Sequence, residues 1–292
     1  MSRKIEDLIV RGHWAIDLDW GLTQLSQYHQ QISLLKSGVP FAELGLSKSR
    51  QASRLLTFTD NSNSTVRIDG SDLDSMRKLE SGTVARMNLS GPMSVEDGLC
   101  SRGIQSMCGD MEMLDSLKTV DALIIEANTG GGESQAGHML KSAIEDFSKP
   151  VIFLSHFLGS AGVMSSLTAD QRIASSNGAK IGSIGSYFSI DKEFVEWYKE
   201  NVDDIYSRVS PEKNKDFRDY IKGDSSGFED SATESAAMFI SEVKKHLKLD
   251  KATAKETLQG GMFYAKDAKK RGLVDSIGGM KHAIKRARAL AK

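Results

Sequence analysis

Residues 154–186 read LSHFLGSAGVMSSLTADQRIASSNGAKIGSIGS, and this stretch decides how the rest of the chain is interpreted. It sets Ser160 between small residues at the head of an apolar, helix-like run, and a second serine, Ser183, follows inside GSIG. Upstream, residues 121–137 (DALIIEANTGGGESQAG) place three glycines at a strand-to-helix turn. Acyl transfer needs this arrangement, because one group attacks the carbonyl while fixed backbone N–H donors hold the oxyanion.

Strand-like and helix-like segments alternate on both sides of this stretch. Strands are predicted at TVARMNLSG, DALIIEA, PVIFLS and QRIAS, and helices at IQSMCGDMEMLDSLK, ESQAGHMLKSAIEDF, residues 228–249 and the basic-faced GGMKHAIKRARALAK. Strands alternating with helices of this size predict an α/β domain with crossover connections.

Four motifs carry a resemblance to a known family. LIIEANTGGGESQAG, HFLGSAGVMSSLTAD, GSIGS and GMFYAKDAKKRGLVDSIGG resemble the S49 serine peptidases, and they occur in the family's order across residues 83–290. That family includes signal peptide peptidase A and phage prohead proteases of the lambda protein C type. The resemblance implies the Clp/crotonase-like fold, a spiral of short ββα units.

The resemblance also implies a catalytic serine–lysine pair. Ser160 would be the nucleophile, Lys213 the base, and Ser183 the hydroxyl that orients the lysine amine. Lys215, which is followed by aspartate as in some members, is the alternative base. A lysine acts as a base only when neutral, and burial favours its neutral form. The family has two glycines after the serine, whereas this chain has Ala161 and then glycine.

The oxyanion hole is expected at the glycine turn. Where the family reads Ser-Pro-Gly-Gly, this chain reads Thr-Gly-Gly-Gly, and the backbone N–H groups of Gly131 and Gly132 are the predicted donors. Glu133 follows, either facing the substrate or favouring the helix dipole. The alternative interpretation of the motif is a plain strand-to-helix turn.

A histidine base remains an alternative on the residues alone. The chain has six histidines, and His156 lies close before Ser160 at a strand end. None follows Ser160 where Clp peptidases carry theirs.

Composition excludes several classes of function. The 292 residues are 39% hydrophobic with a formal net charge of −1, which predicts a sizeable core and gives nucleic-acid binding no electrostatic support. The start lacks the uninterrupted apolar run of a signal peptide, and no run has the length of a membrane span. We expect a cytoplasmic protein without a membrane anchor, in the host cytoplasm or the prohead if it is phage-encoded.

Cysteine and metal chemistry is not expected. Cys100 and Cys108 are predicted to be free thiols, because neither has a partner at metal-binding spacing. No phosphate-binding loop and no ligand cluster is present, so neither cofactor nor metal is predicted.

The first 80 residues differ from the remainder. We predict an N-terminal extension or small subdomain over residues 1–80, with an amphipathic helix near 20–37 and a polar loop or linker at 58–72. The peptidase domain is expected over residues 81–292.

The predicted function is that of a serine endopeptidase with a Ser–Lys dyad. A homo-oligomeric phage or prophage head-maturation protease that cleaves scaffold and capsid proteins is the favoured version. The alternatives are a signal peptide peptidase-like protease, a catalytically inactive assembly protein on the same fold, and a crotonase-type acyl-CoA enzyme.

Overall fold

The structure is a computed structural model that describes residues 14–16, 54–97, 102–190 and 192–292. Within those ranges the centre is a nine-stranded sheet, with strand order β10-β9-β7-β5-β4-β2-β3 and with β8 pairing to both β7 and β11. The strands are β2 (Leu55–Thr59), β3 (Thr65–Asp69), β4 (Thr83–Ser90), β5 (Val120–Thr129), β7 (Val151–Gly159), β8 (Gln171–Ala174), β9 (Lys180–Gly182), β10 (Met262–Tyr264) and β11 (Ser276–Ile277).

A separate two-stranded sheet and ten helices complete the described part of the chain. The small sheet pairs β1 (Trp14–Ile16) with β6 (Gly131–Glu133). The helices are α1 (Leu73–Arg77), α2 (Ile104–Ser116), α3 (Ser134–Asp146), α4 (Ala161–Ser165), α5 (Lys192–Asn201), α6 (Lys215–Ile221), α7 (Ser226–His246), α8 (Ala254–Thr257), α9 (Ala265–Arg271) and α10 (Met280–Leu290).

Three parallel strands, β4, β5 and β7, form the middle of the sheet. Their apolar runs are buried on both faces, as is typical of parallel sheets covered by crossover helices. One face carries the larger core, in which Leu123 and Phe153 pack with Met111 of α2 and Leu140 of α3. Truncation of a buried side chain of the size of Phe153 lowers the free energy of unfolding by about 3–5 kcal/mol. The packing of this core therefore holds β5 and β7 in place, and the candidate site lies at the ends of these strands.

The helix α10 covers the second face of the sheet. Ala283 and Ala287 pack there against Val84, Ile124 and Leu154, which belong to β4, β5 and β7. Small residues on the helix let it approach the sheet closely. The predicted α/β class is therefore confirmed, with helices on both sides of a mostly parallel sheet.

The predicted loop over residues 58–72 is wrong in part. Residues 65–69 form β3, which pairs antiparallel with β2, and β2 pairs in turn with β4. Only the tip of this hairpin is a turn, where the Asp60 carboxylate accepts hydrogen bonds from Ser62 and Ser64. The predicted helix at 20–37 lies outside the described residues, and a domain boundary near residue 80 stays a prediction.

None of the described helices combines the length and apolarity that a membrane crossing requires.

Candidate active site

Ser160 stands at the junction between β7 and α4. Its φ is 51°, which is unusual for a residue with a side chain and marks a strained backbone. Its N–H donates to the Gly182 carbonyl at 2.9 Å. Its hydroxyl donates to the Gly185 carbonyl at 3.4 Å, a long contact that holds it loosely. The residue is 1% exposed.

The extra methyl group of Ala161 is accommodated by a glycine in the neighbouring helix. A Cβ at Gly137 would lie 2.9 Å from the Ala161 carbonyl oxygen and 3.2 Å from the Ala161 Cβ. At Gly162 a Cβ would lie 2.8 Å from the Thr129 methyl group, so only glycine fits there without a shift. The departure from the family pattern therefore leaves the start of α4 undisturbed.

Ser183 occupies the corresponding position on the adjacent strand. β9 pairs parallel with β7, with Gly182 opposite Gly159, so the two serines leave neighbouring strands at the same edge of the sheet. Ser183 also has a positive φ, 56°, and its N–H donates to the Gly261 carbonyl at 2.8 Å. Adjacent strands lie about 4.8 Å apart, so the fold brings the two predicted serines together.

The glycine turn forms a short strand, β6, rather than an open turn. Gly131 has a φ of 102°, and its N–H donates to the Thr129 hydroxyl at 3.0 Å. That hydroxyl donates in turn to the Gly91 carbonyl at 2.7 Å. The Gly131 amide, one of the two predicted oxyanion donors, therefore has a partner already.

One edge of β6 is bound to Met93. The Met93 N–H donates to the Gly131 carbonyl at 2.8 Å, and the Glu133 N–H donates to the Met93 carbonyl at 2.9 Å. At Gly132 a Cβ would lie 2.0 Å from the Met93 carbonyl oxygen, so this close approach requires glycine. The Glu133 carboxylate accepts from the Val95 N–H at 2.8 Å, which gives it a structural partner.

The first turn of α4 supplies further amides. α4 begins at Ala161 and packs against β6. The first N–H groups of a helix have no carbonyl partner within it. The Ala161 amide, which directly follows the nucleophile candidate, was absent from the sequence prediction. The predicted start of a helix directly after Ser160 could have indicated this donor, because the N–H of the residue after such a serine points to the same side as the serine hydroxyl.

Both candidate lysines are exposed to solvent. The Lys213 N–H donates to the Ser210 carbonyl at 3.2 Å, and the Lys215 ammonium lies 3.2 Å from the Glu212 carboxylate. Within the described part of this single chain, no hydrogen bond or ion pair joins either lysine to Ser160 or Ser183. The chain alone therefore does not supply the burial that favours a neutral lysine.

His156 is engaged away from Ser160. Its Nε2 lies 2.9 Å from the Glu126 carboxylate, and its Nδ1 lies 2.9 Å from the Ser175 hydroxyl. Glu126 also accepts from Arg86 at 2.9 Å. Burial acts to raise the pKa of the Glu126 carboxyl, but the hydrogen bonds and charges of His156 and Arg86 together outweigh it, so the pKa is lowered. Both ring nitrogens thus have partners in a polar row across the sheet.

The described residues contain no group of three or more His, Cys, Asp or Glu that could hold a metal ion. Cys108 is a free, half-buried thiol, and burial, with the nearby Glu112 carboxylate, raises its pKa to about 11. A thiol held in its protonated form is a poor nucleophile. Cys100 lies outside the described residues.

Comparison with known proteins identifies one family. The sequence profile described as Peptidase family S49 matches residues 143–292, just over half of the chain. The Methanocaldococcus jannaschii protein named "Putative protease MJ0651" is 28% identical over 195 residues, which are 64% of this chain and 60% of that protein. Protease 4 of Haemophilus influenzae is 28% identical over 178 residues, which are 59% of this chain and 29% of that protein.

The chain thus spans less than two thirds of the length of either relative. Among solved structures, a ClpP1 mutant from Listeria monocytogenes superposes with a TM-score of 0.45 at 14% identity, covering 74% of this chain and 99% of that one.

Proposed function

Because this chain belongs to peptidase family S49, with the Clp/crotonase-like fold that its motifs predict, we propose that it is a serine peptidase whose nucleophile is Ser160. The single observation that carries the proposal is the backbone at Ser160: a positive φ of 51° between the end of β7 and the start of α4. A strained strand-to-helix turn is how serine hydrolases present a nucleophile beside unpaired amides.

The reaction would proceed by acyl transfer. The Ser160 oxygen attacks the peptide carbonyl and its proton passes to the base. The carbonyl oxygen becomes an oxyanion, which collapses as the leaving amine takes a proton from the base. Water then releases the acyl group by the same steps in reverse order. The proposed oxyanion donors are the Gly132 amide and the Ala161 amide, and the packing of α4 against β6 supports this grouping. The Gly131 amide, the other donor expected from the sequence, would have to leave the Thr129 hydroxyl before it could join them.

The proposed base is Lys213 of a second copy of the chain, with Lys215 as the alternative. The support comes from the loop between α5 and α6, where Ile205, eight residues before Lys213, is 97% exposed and Val209, four residues before it, is 89% exposed. Packing of a second copy on this loop would remove both apolar side chains from water, which favours association there. Burial at such an interface would also favour the neutral lysine, which Ser183 would orient toward Ser160.

The proposed biological role is head maturation in a phage or prophage, with scaffold and capsid proteins as substrates. Its support is the order of the four motifs, which is that of the S49 family, and phage head proteases belong to this family together with signal peptide peptidases. A signal peptide peptidase-like protease is the alternative on the same site. Portal, terminase and capsid genes beside the encoding gene are the expected finding, and a neighbourhood of secretion genes would favour the alternative.

A catalytically inactive assembly protein is the second candidate function. The observation that favours it is the exposure of both lysines, so that within the described part of one chain neither predicted lysine is buried beside Ser160 as a base. Such a protein would keep the fold and the oligomer without turnover.

Covalent labelling separates these functions. A fluorophosphonate should label the wild-type protein, Ser160→Ala should abolish labelling and casein cleavage, and Ser176→Ala, which removes an exposed hydroxyl, should retain both. Loss of a nucleophile costs several orders of magnitude in kcat. Wild-type protein that neither takes the label nor cleaves casein would leave the inactive assembly protein as the function.

A further inference from the structure

We propose that the segment Trp14–Ile16 is a built-in occupant of the edge where a peptide substrate pairs, so that the chain inhibits itself until this segment is displaced. The proposal rests on the proposed function, since it takes β6 to be the strand that a substrate joins. Its starting point is the small sheet, in which β1 runs antiparallel to the glycine turn beside the nucleophile.

The register places β1 against the whole of β6. Trp14 lies opposite Glu133, Ala15 opposite Gly132, and Ile16 opposite Gly131. The other edge of β6 is bound to Met93, through the Gly131 carbonyl and the Glu133 N–H. β6 therefore has one edge left for a further strand, and β1 lies along it.

The middle residue of β6 is the point of competition. Along a strand, the N–H and C=O of successive residues point to opposite edges. Because the Gly131 carbonyl and the Glu133 N–H point to Met93, both backbone groups of Gly132 point to the other edge, opposite Ala15. An antiparallel pair of this kind exchanges two hydrogen bonds. The Gly132 amide is a proposed oxyanion donor, so β1 and a reacting peptide need the same group.

The pairing between β1 and β6 is short enough for a substrate to displace β1. Three residues form a short ladder, and short two-stranded pairings are only marginally stable in water. The segment is tethered to its site, however, and a tethered ligand competes at an effective concentration on the order of millimolar. A free peptide at micromolar concentration would therefore lose to β1, whereas a long substrate making further contacts would displace it. Extended peptides bind exposed sheet edges through the same main-chain hydrogen bonds.

The test removes one main-chain donor from β1 in the full chain. Ala15→Pro lacks the N–H that pairs with Gly132 and should release the edge, whereas Ala15→Ser keeps that N–H and is the matched control. Both changes are made in a Ser160→Ala background so that no turnover interferes. The probe is a fluorescein-labelled peptide of residues 11–20, RGHWAIDLDW, whose binding is followed by polarisation.

The peptide should bind the Ala15→Pro protein on the order of tenfold more tightly than the parent or the Ala15→Ser protein. The same peptide carrying Ala15→Pro should not bind at all. Equal affinities for the three proteins, or no binding to any of them, would overturn the proposal. Equal melting temperatures of the three proteins would show that the substitution leaves the fold intact.

Kinetics of the active protein separate this proposal from the proposed function. With Ser160 present, Ala15→Pro should lower KM for a peptide substrate on the order of tenfold and leave kcat unchanged. Binding as expected without cleavage by any variant would refute the peptidase activity and leave the strand exchange standing. Cleavage with unchanged KM and unchanged peptide affinity would refute the occupant and leave the peptidase activity standing.

Discussion

The substitution Gly132→Ala tests the geometry of the proposed oxyanion hole most directly. The added Cβ would lie 2.0 Å from the carbonyl oxygen and 2.6 Å from the nitrogen of Met93. Both are backbone atoms, so no side chain can turn away to make room. Real Cβ atoms do not come closer than about 3.0 Å, so β6 and Met93 must separate by about 1 Å. A misplacement of that size at a catalytic donor can reduce the rate about 100-fold.

The same separation weakens the two hydrogen bonds between β6 and Met93. Each contributes about 1 kcal/mol, so we expect a loss of about 2 kcal/mol and a fall in melting temperature of about 5 °C. The assays are kcat/KM on a peptide substrate and thermal unfolding. The matched control is Gly109→Ala in α2, where the added Cβ meets nothing within 4 Å and alanine favours the helix. If Gly132→Ala kept kcat/KM within threefold of wild type, the assignment of β6 to the oxyanion hole would be refuted.

Three further predictions concern the base, the assembly and the free thiol. Lys213→Ala should abolish cleavage and Lys215→Ala should largely spare it. In the wild type, kcat/KM should rise with pH in the alkaline range, because a lysine base must first lose its proton. A rise in kcat/KM centred near pH ~6.5 that disappears in His156→Ala would instead identify a histidine base. Ile205→Asp should shift the protein to monomer in light scattering and abolish cleavage, and an active monomer would contradict assembly of the site between copies. The pKa of Cys108 is raised to about 11, so its alkylation by iodoacetamide at pH 8 should be about 100-fold slower than that of free cysteine. The alkylation rate should increase tenfold per pH unit until the pH reaches about 11. Rapid modification of Cys108, detected by mass spectrometry of peptides, would contradict this prediction.

The central sheet could be predicted from the sequence because its strands are long and apolar. β5 and β7 are buried on both faces and read as continuous hydrophobic runs between turn residues. β3 was missed although Val66 and Ile68 alternate with polar residues, because the run is only five residues long and turn-forming residues lie on both sides of it. The polar residues of the preceding turn led to the interpretation of the whole region as a loop.

The site could be predicted only where short motifs determine the backbone locally. Ser160 and Ser183 could be proposed from the sequence because small residues surround each of them at a predicted strand end. β6 could not be found, because two glycines have low strand propensity and the strand exists through its pairing with Met93 and β1. The exposure of Lys213 could not be predicted either, because spacing along the sequence does not determine how deeply a side chain is buried.

The cover that α10 provides has a consequence for the order in which the protein is made. β4, β5 and β7 present Val84, Ile124 and Leu154 toward a helix that the ribosome adds about 120 residues after β7 ends. At a synthesis rate of 5–20 residues per second, this apolar face of the sheet stays exposed for roughly 6–24 s before α10 is synthesised. The nascent chain exposes an aggregation-prone apolar surface during that interval, so we expect it to bind a chaperone during translation.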